Sequence, residues 1–504
     1  LHLDYPLSYN TISAMTKQEI IKYLKENELN IQSDANAAIF LLDLGYSAYN
    51  DSDVIFQETY SPIFVFIRYK DQRIFYQIIP QHIFKKVFSR IYSDFLKEEA
   101  GFKKIIKDHK NLQVRADKIW QEYKKGKIEL KETYRGLVPI YRESFVYASA
   151  GEDKGEMINS EIIPEFAIRN KMPLNKTKKM FDVLSHPEQI SVISLERKYF
   201  LNVCLAFLNN KGLEEKIKQY IDNYFWFKTN FYKKADITKE LLIEEVKQEI
   251  KDLGKDKIKR ELRDFNKGFE GIEKEKEKLL KRAKLSQRDR KDIQFARLII
   301  EWIDIRKEQM LKMGYYVFSV LDDFAKKKGL EYEDMAVLTI PEANRLILGD
   351  KKPDLEEISR RKKGGFWIYE KGREAQKYYG KKAEEMLQAA TEIKEQEQEL
   401  KGQIASTGGV KSVRGKIRIV INPEKDPFEK GEILTTSMTR TDFLPLMRKA
   451  KAIITNEGGV ACHAAIVSRE LNIPCIVGTK NATRILKTND KVNMDLKKGI
   501  ITKK

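Results

Sequence analysis

Apolar residues recur along this chain with two different periods. From about residue 146 to about 400 the spacing is helical. Leu242, Val246, Ile250 and Leu253 follow one another at four, four and three positions behind Thr238, which predicts a capped helix with one buried stripe. Lys291–Lys327 gathers Phe295, Leu298, Ile299, Trp302, Met310, Met313, Val317, Val320, Leu321 and Phe324 on one broad side, and Gly329 suits its end. Residues 188–209 carry a mostly buried helical pattern, and Thr339-Ile-Pro-Glu342 reads as a capping box with proline in the first turn. Between these, Lys255–Arg290 interleaves Lys, Arg and Glu around Ile258, Leu262, Phe265 and Phe269, a pattern that predicts a solvent-laced helical hairpin. Lys371–Leu400 predicts a polar helix ending near Gly402.

The last hundred residues change period. Ile417, Ile419 and Ile421 alternate with Lys416, Arg418 and Val420, as in a strand with one face buried. Glu432–Thr436, Ala452–Thr455, Cys475–Gly478, Lys491–Met494 and Ile500–Thr502 are further short strands punctuated by Gly, Pro or Asn. The first 145 residues are less regular: Phe64–Ile67 and Arg73–Ile79 predict a strand pair about the turn at Lys70–Gln72, followed by helices from Gln81 to Lys125. The expected order is a mixed α/β or helical region over 1–145, a helical domain over 146–400 that binds a substrate or partner, and a separate β/α domain over 401–504.

Composition narrows the function classes. The 504 residues are 42% hydrophobic and 10% aromatic, which excludes wholesale disorder and suits several cores. No apolar run reaches membrane-spanning length, no secretory pattern opens the chain, and three cysteines are too few for a disulfide framework, so a cytoplasmic protein is expected. The chain opens on Leu1 in place of an initiator Met, which suits a fragment or a processed chain. The net charge of +19 is unevenly spread: residues 402–504 hold 19 Lys and Arg against 9 Asp and Glu, a net of +10. An anionic partner of small size is expected, while the absence of a recognised basic motif makes nucleic acid an improbable one.

Candidate chemistry lies in Thr455-Asn-Glu-Gly-Gly-Val-Ala-Cys-His-Ala-Ala-Ile, which reads as a strand, a Gly-Gly turn, and a helix of about two turns beginning at His463. A histidine there faces unpaired backbone N–H groups and the positive end of the helix dipole. The neutral imidazole is favoured, keeping a ring lone pair for attack, and the same N–H groups suit phosphoryl oxygens. Gly458 and Gly459 let the backbone approach closely. On spacing alone a structural histidine fits equally well. One histidine beside one cysteine does not make a metal site. The pair Asp108–His109 lies in a charged helical run and reads as a solvated face. Tyr224-Phe225-Trp226 reads as core packing, with the lining of a ligand pocket as the alternative.

Residues from about Gly402 to Thr502 resemble the mobile phosphohistidine domain of phosphoenolpyruvate-utilising enzymes, the group containing phosphoenolpyruvate synthase, pyruvate phosphate dikinase and rifampicin phosphotransferase. The likeness runs in order through Gly415-Lys-Ile-Arg-Ile-Val, Gly431-Glu-Ile-Leu, Thr439, Ala452-Ile-Ile-Thr455, Gly458-Gly459, His463-Ala-Ala-Ile, Arg469-Glu-Leu, Ile473-Pro474 and Val477-Gly478. It implies a swivelling β/β/α domain in which His463 becomes phosphorylated, with Thr455, Gly458, Gly459, Cys462 and Arg469 in support. Two positions depart from the pattern. Ala461 stands where some relatives carry a regulatory threonine, and Cys462 replaces a serine, a thiol being the weaker hydrogen-bonding group.

In such relatives a nucleotide is held by an ATP-grasp domain, which nothing in residues 1–400 resembles. The expected partner is therefore an ATP-grasp domain, in trans or in a preceding segment, carrying ATP or phosphoenolpyruvate with Mg²⁺. A small-molecule phosphoryl acceptor completes the expected reaction of a phosphotransferase. The alternative is a non-catalytic remnant that binds a partner.

Overall fold

The computed structural model describes residues 15–27, 29–35, 38–50, 61–68, 74–148, 158–187, 189–391, 400–423, 425–439, 443–458 and 462–503. It is mostly helical, with a β-rich C-terminal region. Contacts divide the chain into two compact units, residues 91–328 and residues 1–90 together with 329–504. These divisions fall away from positions 145 and 400, and strand pairing explains why. Gly365–Tyr369, inside the stretch expected to be helical, lies antiparallel to Ile63–Arg68.

That pairing belongs to a five-stranded antiparallel sheet. Its strands are β1 Leu29–Ala35, β2 Ile63–Arg68, β3 Ile74–Pro80, β4 Gly365–Tyr369 and β5 Gln376–Tyr378, in the order β1-β3-β2-β4-β5. The predicted hairpin is present, with Phe64 opposite Ile78, while its turn lies outside the described residues. Phe64, Phe66, Ile78, Phe366 and Ile368 pack against Ile20 and Leu24 of the helix Lys17–Glu26 and Met386 of the helix Lys381–Thr391. The polar helix expected over 371–400 is thus a strand and a shorter helix, with residues 392–399 outside the described set.

The unit 91–328 is built from helices. Thr238 accepts from the Leu241 amide and caps Lys239–Leu253, as its sequence predicts. The hairpin expected over 255–290 is instead one 28-residue helix, Lys255–Arg282, followed by the 42-residue helix Gln287–Lys328. Gln287 begins the latter behind Ser286, whose hydroxyl accepts from the Asp289 amide at 3.1 Å while the Ser286 amide donates to an Asp289 carboxylate oxygen at 3.1 Å. Arg197, mostly buried, ties this unit together by bonding Glu249 and Glu261, each at 2.7 Å. Among the described residues, no helix is long and apolar enough to cross a membrane.

The C-terminal region holds eight strands: β6 Leu400–Lys401, β7 Gln403–Ser406, β8 Ser412–Ile419, β9 Ile433–Thr436, β10 Ala452–Thr455, β11 Cys475–Val477, β12 Lys491–Asp495 and β13 Ile500–Lys503. Their order is β6-β13-β12-β8-β9-β10-β11-β7. The central four, β8-β9-β10-β11, are parallel. Successive residues of the middle strands face opposite sides: Ile433, Ile454 and Ile476 enter one core, and Leu434, Ile453 and Cys475 enter the other. Both faces are covered, which is why these strands read as continuous apolar runs in the sequence. The helix His463–Glu470 lies on the second face, through Ala464, Ala465 and Val467.

Candidate functional site

His463 follows a parallel strand, and its position is set by the turn that leaves that strand. Past Thr455 the chain stays tied to the end of β9: the Asn456 amide donates to Thr436 O at 3.1 Å and the Glu457 amide to Ser437 O at 2.9 Å. Thr455 is fully buried and serves the backbone. Its hydroxyl donates to Glu457 O at 2.7 Å, and its carbonyl accepts from the Thr479 hydroxyl at 2.9 Å. Asn456 clamps Thr483 in both directions, donating to Oγ1 at 2.6 Å and accepting from its amide at 2.9 Å. The turn is therefore held from two neighbouring segments before it reaches the histidine.

Gly458 has φ of +106°, in the region that disfavours side chains, and a Cβ there would stand 2.6 Å from Cys462 Sγ. Close approach, expected from the Gly-Gly pair, is thus enforced at Gly458; Gly459 and Ala461 lie outside the described residues. Cys462 is the N-cap residue, extended at φ −74° and ψ 164°, and its thiol makes no capping bond to the helix. Serine or threonine in that place ordinarily accepts from the first free amides.

His463 is the first residue of the helix His463–Glu470, and Asn472 closes it in a left-handed conformation ahead of Pro474, as the sequence predicts. His463 is 6% exposed, with Nδ1 2.7 Å from Thr439 Oγ1. Thr439 is the residue that reasoning from sequence passed over: it belongs to the pattern but received no role. The available signal was Ser437-Met-Thr439 at the C-terminal end of a parallel strand, where α/β sheets place ligand-binding groups. Arg469 is exposed. Six residues along an α-helix place it about 120° around and about 9 Å along from His463, so the two do not share a face.

The other candidates resolve into structure. His109, expected on a solvated face, is fully buried; Asp108 alone points outward, pairing with Lys104 at 3.1 Å. Trp302 Nε1 donates to His109 Nδ1 at 2.8 Å, and Nε2 lies 3.1 Å from Ser144 Oγ. Burial, with Arg306 nearby, lowers its pKa to about 3. A one-sided apolar pattern on the helix Glu99–Lys124 could not show this, because the partners come from two other helices. Tyr224 and Trp226 are core residues, whereas Phe225 is only partly buried. None of the three cysteines is disulfide-bonded; burial raises the pKa of Cys204 to about 12 and that of Cys475 still further, removing both as nucleophiles near neutral pH. Among the described residues no group of three or more His, Cys, Asp or Glu could hold a metal ion.

Comparison with known proteins bears on the C-terminal region. Residues 428–499 match the family described as PEP-utilising enzyme, mobile domain. A probable phosphoenolpyruvate synthase of Methanothermobacter thermautotrophicus is 50% identical over 111 residues, which is 22% of this chain and 16% of that protein. The phosphoenolpyruvate synthase of Pyrococcus furiosus is 46% identical over 123 residues, 24% of this chain and 15% of that protein. The chain thus matches about a sixth of these relatives' length. Among solved structures, the holo-form of Thermococcus kodakaraensis aconitase X is 20% identical over 21% of this chain and 98% of that one, with a TM-score of 0.18 that carries no argument about fold. The C-terminal region of this chain carries the mobile domain of phosphoenolpyruvate-utilising enzymes.

Proposed function

We propose that this chain is the phosphocarrier part of a phosphotransferase, with His463 as the group that bears the phosphoryl. The observation that supports this most is the bond between His463 Nδ1 and Thr439 Oγ1 at the start of a helix. With the Nδ1 proton directed at the Thr439 hydroxyl, the ring lone pair resides on Nε2. That nitrogen attacks the transferable phosphorus of ATP or phosphoenolpyruvate; an N–P bond forms as the P–O bond to ADP or enolpyruvate breaks. The phosphorylated ring keeps its Nδ1–H toward Thr439. In the second transfer an acceptor oxygen takes the phosphoryl, the N–P bond breaks, and the electron pair returns to Nε2. Positioning and charge dominate such a transfer.

The domain spanning residues 401–504 swivels between donor and acceptor sites in this reading, and its net charge of +11 suits docking against phosphates. The donor site, with its Mg²⁺, belongs to an ATP-grasp domain outside the residues described. The described side chains offer no cluster fit for that ion, so no step is assigned to it in this chain.

The test is incubation with labelled ATP or phosphoenolpyruvate, alone and with a candidate ATP-grasp chain. Acid-labile, alkali-stable label that disappears in His463→Ala is the expected result. A protein that takes up no label under any of these conditions is not a carrier, and the partner-binding reading then stands.

A further inference from the structure

We infer that the helical unit has a small-molecule site of its own, a recess that takes a planar aromatic ligand bearing an anionic group. The recess has a volume of about 270 Å³ and lies wholly within residues 91–328. Three helices supply it. Asp117, Trp120, Gln121 and Lys124 fall at i, i+3, i+4 and i+7 on the helix Glu99–Lys124, a single stripe. Lys312 and Tyr316, four apart, come from Gln287–Lys328, and Asp222 and Phe225 from the end of Leu213–Tyr224.

The floor is aromatic. Trp120 stacks on buried Tyr316 with centroids 4.8 Å apart and planes 17° from parallel, and Phe225 lies within 20° of the same Tyr316 plane at 6.1 Å. Tyr316 is fixed from below by its hydroxyl, which donates to Asp117 at 2.6 Å. Trp120 and Phe225 nevertheless remain partly exposed. A partly exposed tryptophan held flat on a buried, hydrogen-bonded tyrosine is a stacking platform of the kind that bases and other π-systems occupy.

Charge identifies the other half of the ligand. The Lys124 ammonium stands 5.9 Å from the Trp120 centroid, within electrostatic reach of the Asp236 carboxylate, and Lys125 follows it. Lys312 is held at 3.0 Å by Asp117, which leaves that pair neutral. Lys124 and Lys125 beside a flat ring surface suit an anion attached to an aromatic system, and Asp222 at the rim supplies an acceptor for an amino or hydroxyl group. A nucleoside monophosphate and an aromatic carboxylate share this chemistry. The inference does not depend on phosphoryl transfer: binding is measured in the full chain whether or not His463 accepts a phosphoryl group.

The reporter is built in, because Trp226, Trp302 and Trp367 are at most 2% exposed and Trp120 alone of the four is partly open. The full chain is titrated with adenosine monophosphate, naphthalene-2-carboxylate and ribose 5-phosphate, following tryptophan quenching and, independently, calorimetric heat. The expected result is saturable binding of at least one aromatic anion, with ribose 5-phosphate weaker by about tenfold or more, the range that one stacked ring contributes. Trp120→Leu is expected to lose about tenfold by calorimetry. The double variant Lys124→Gln with Lys125→Gln is expected to bind more weakly and to lose most of the salt dependence. Adenosine monophosphate alone binding assigns a nucleotide; the naphthoate alone assigns an aromatic acid. Saturable binding by neither, or affinity unchanged in Trp120→Leu of native thermal stability, overturns the inference.

Discussion

Two buried histidines, one in each compact unit, show what separates a structural imidazole from a reactive one. His109 sits mid-helix, where the backbone N–H and C=O groups are already used by the helix itself. Its ring is bonded through both nitrogens, to Trp302 and toward Ser144, and stacks on Tyr147 at 5.3 Å. His463 opens its helix, where the first amides have no intrahelical acceptor, and one ring nitrogen is oriented by a hydroxyl. Burial is nearly the same; the difference lies in what the surrounding backbone still offers. A helix interior neutralises an imidazole, and a helix start leaves it donors for an anion.

Removing or displacing the ring sharpens the contrast most. His463→Ala is expected to abolish phosphoryl uptake. Thr439→Val should slow it by about 10–100-fold, since loss of orientation of this kind costs about two orders of magnitude. Thr439→Ser should restore most of the rate, and thermal stability should stay near the parent's in both. Equal rates in Thr439→Val and the parent would remove Thr439 from the account.

Next in size are changes to the frame. Gly458→Ala places a side chain at φ +106° against Cys462 Sγ and is expected to cost about 1–3 kcal/mol in the C-terminal region, read by urea unfolding. In the helical unit, pH is the lever. Burial holds the His109 pKa near 3 against 6.5 for a free imidazole. The unfolded chain therefore binds a proton that the folded one refuses. The stability from neutral His109 is complete above about pH 6.5 and declines as pH falls toward 3. His109→Gln should remove that acid sensitivity, so unfolding midpoints at pH 7.5 and 4.5 should lie closer together in the variant. The same spacing in both proteins would contradict the assignment.

The smallest effect is expected at the cap. Cys462 makes no capping bond, so Cys462→Ser should gain roughly 0.5–1 kcal/mol of stability. A loss of stability would show that the thiol's packing outweighs the missing bond.

These residues also mark how far the sequence could be read. The strand, turn and helix around His463 were legible because they depend on local signals: alternating isoleucines, glycine at a positive φ, and Asn472 and Pro474 closing the helix. Thr439 was not, since its contact joins residues 24 apart across two parallel strands. In the helical unit the period gave helices but not their partners. His109 meets Trp302 across 193 residues, and outside that unit Gly365–Tyr369 pairs with a strand some 300 residues earlier; periodicity carries no information about either. A buried polar pair looks, from one helix alone, like any charged face.

The central claim is that His463 carries a phosphoryl group on the nitrogen remote from Thr439. Phosphoramidate, a small chemical donor to imidazoles, tests it without a partner domain. After treatment, mass mapping and phosphorus NMR should find one dominant phosphohistidine, at His463 and on Nε2. Phosphorylation confined to exposed histidines such as His82, with His463 unmodified, would contradict the account.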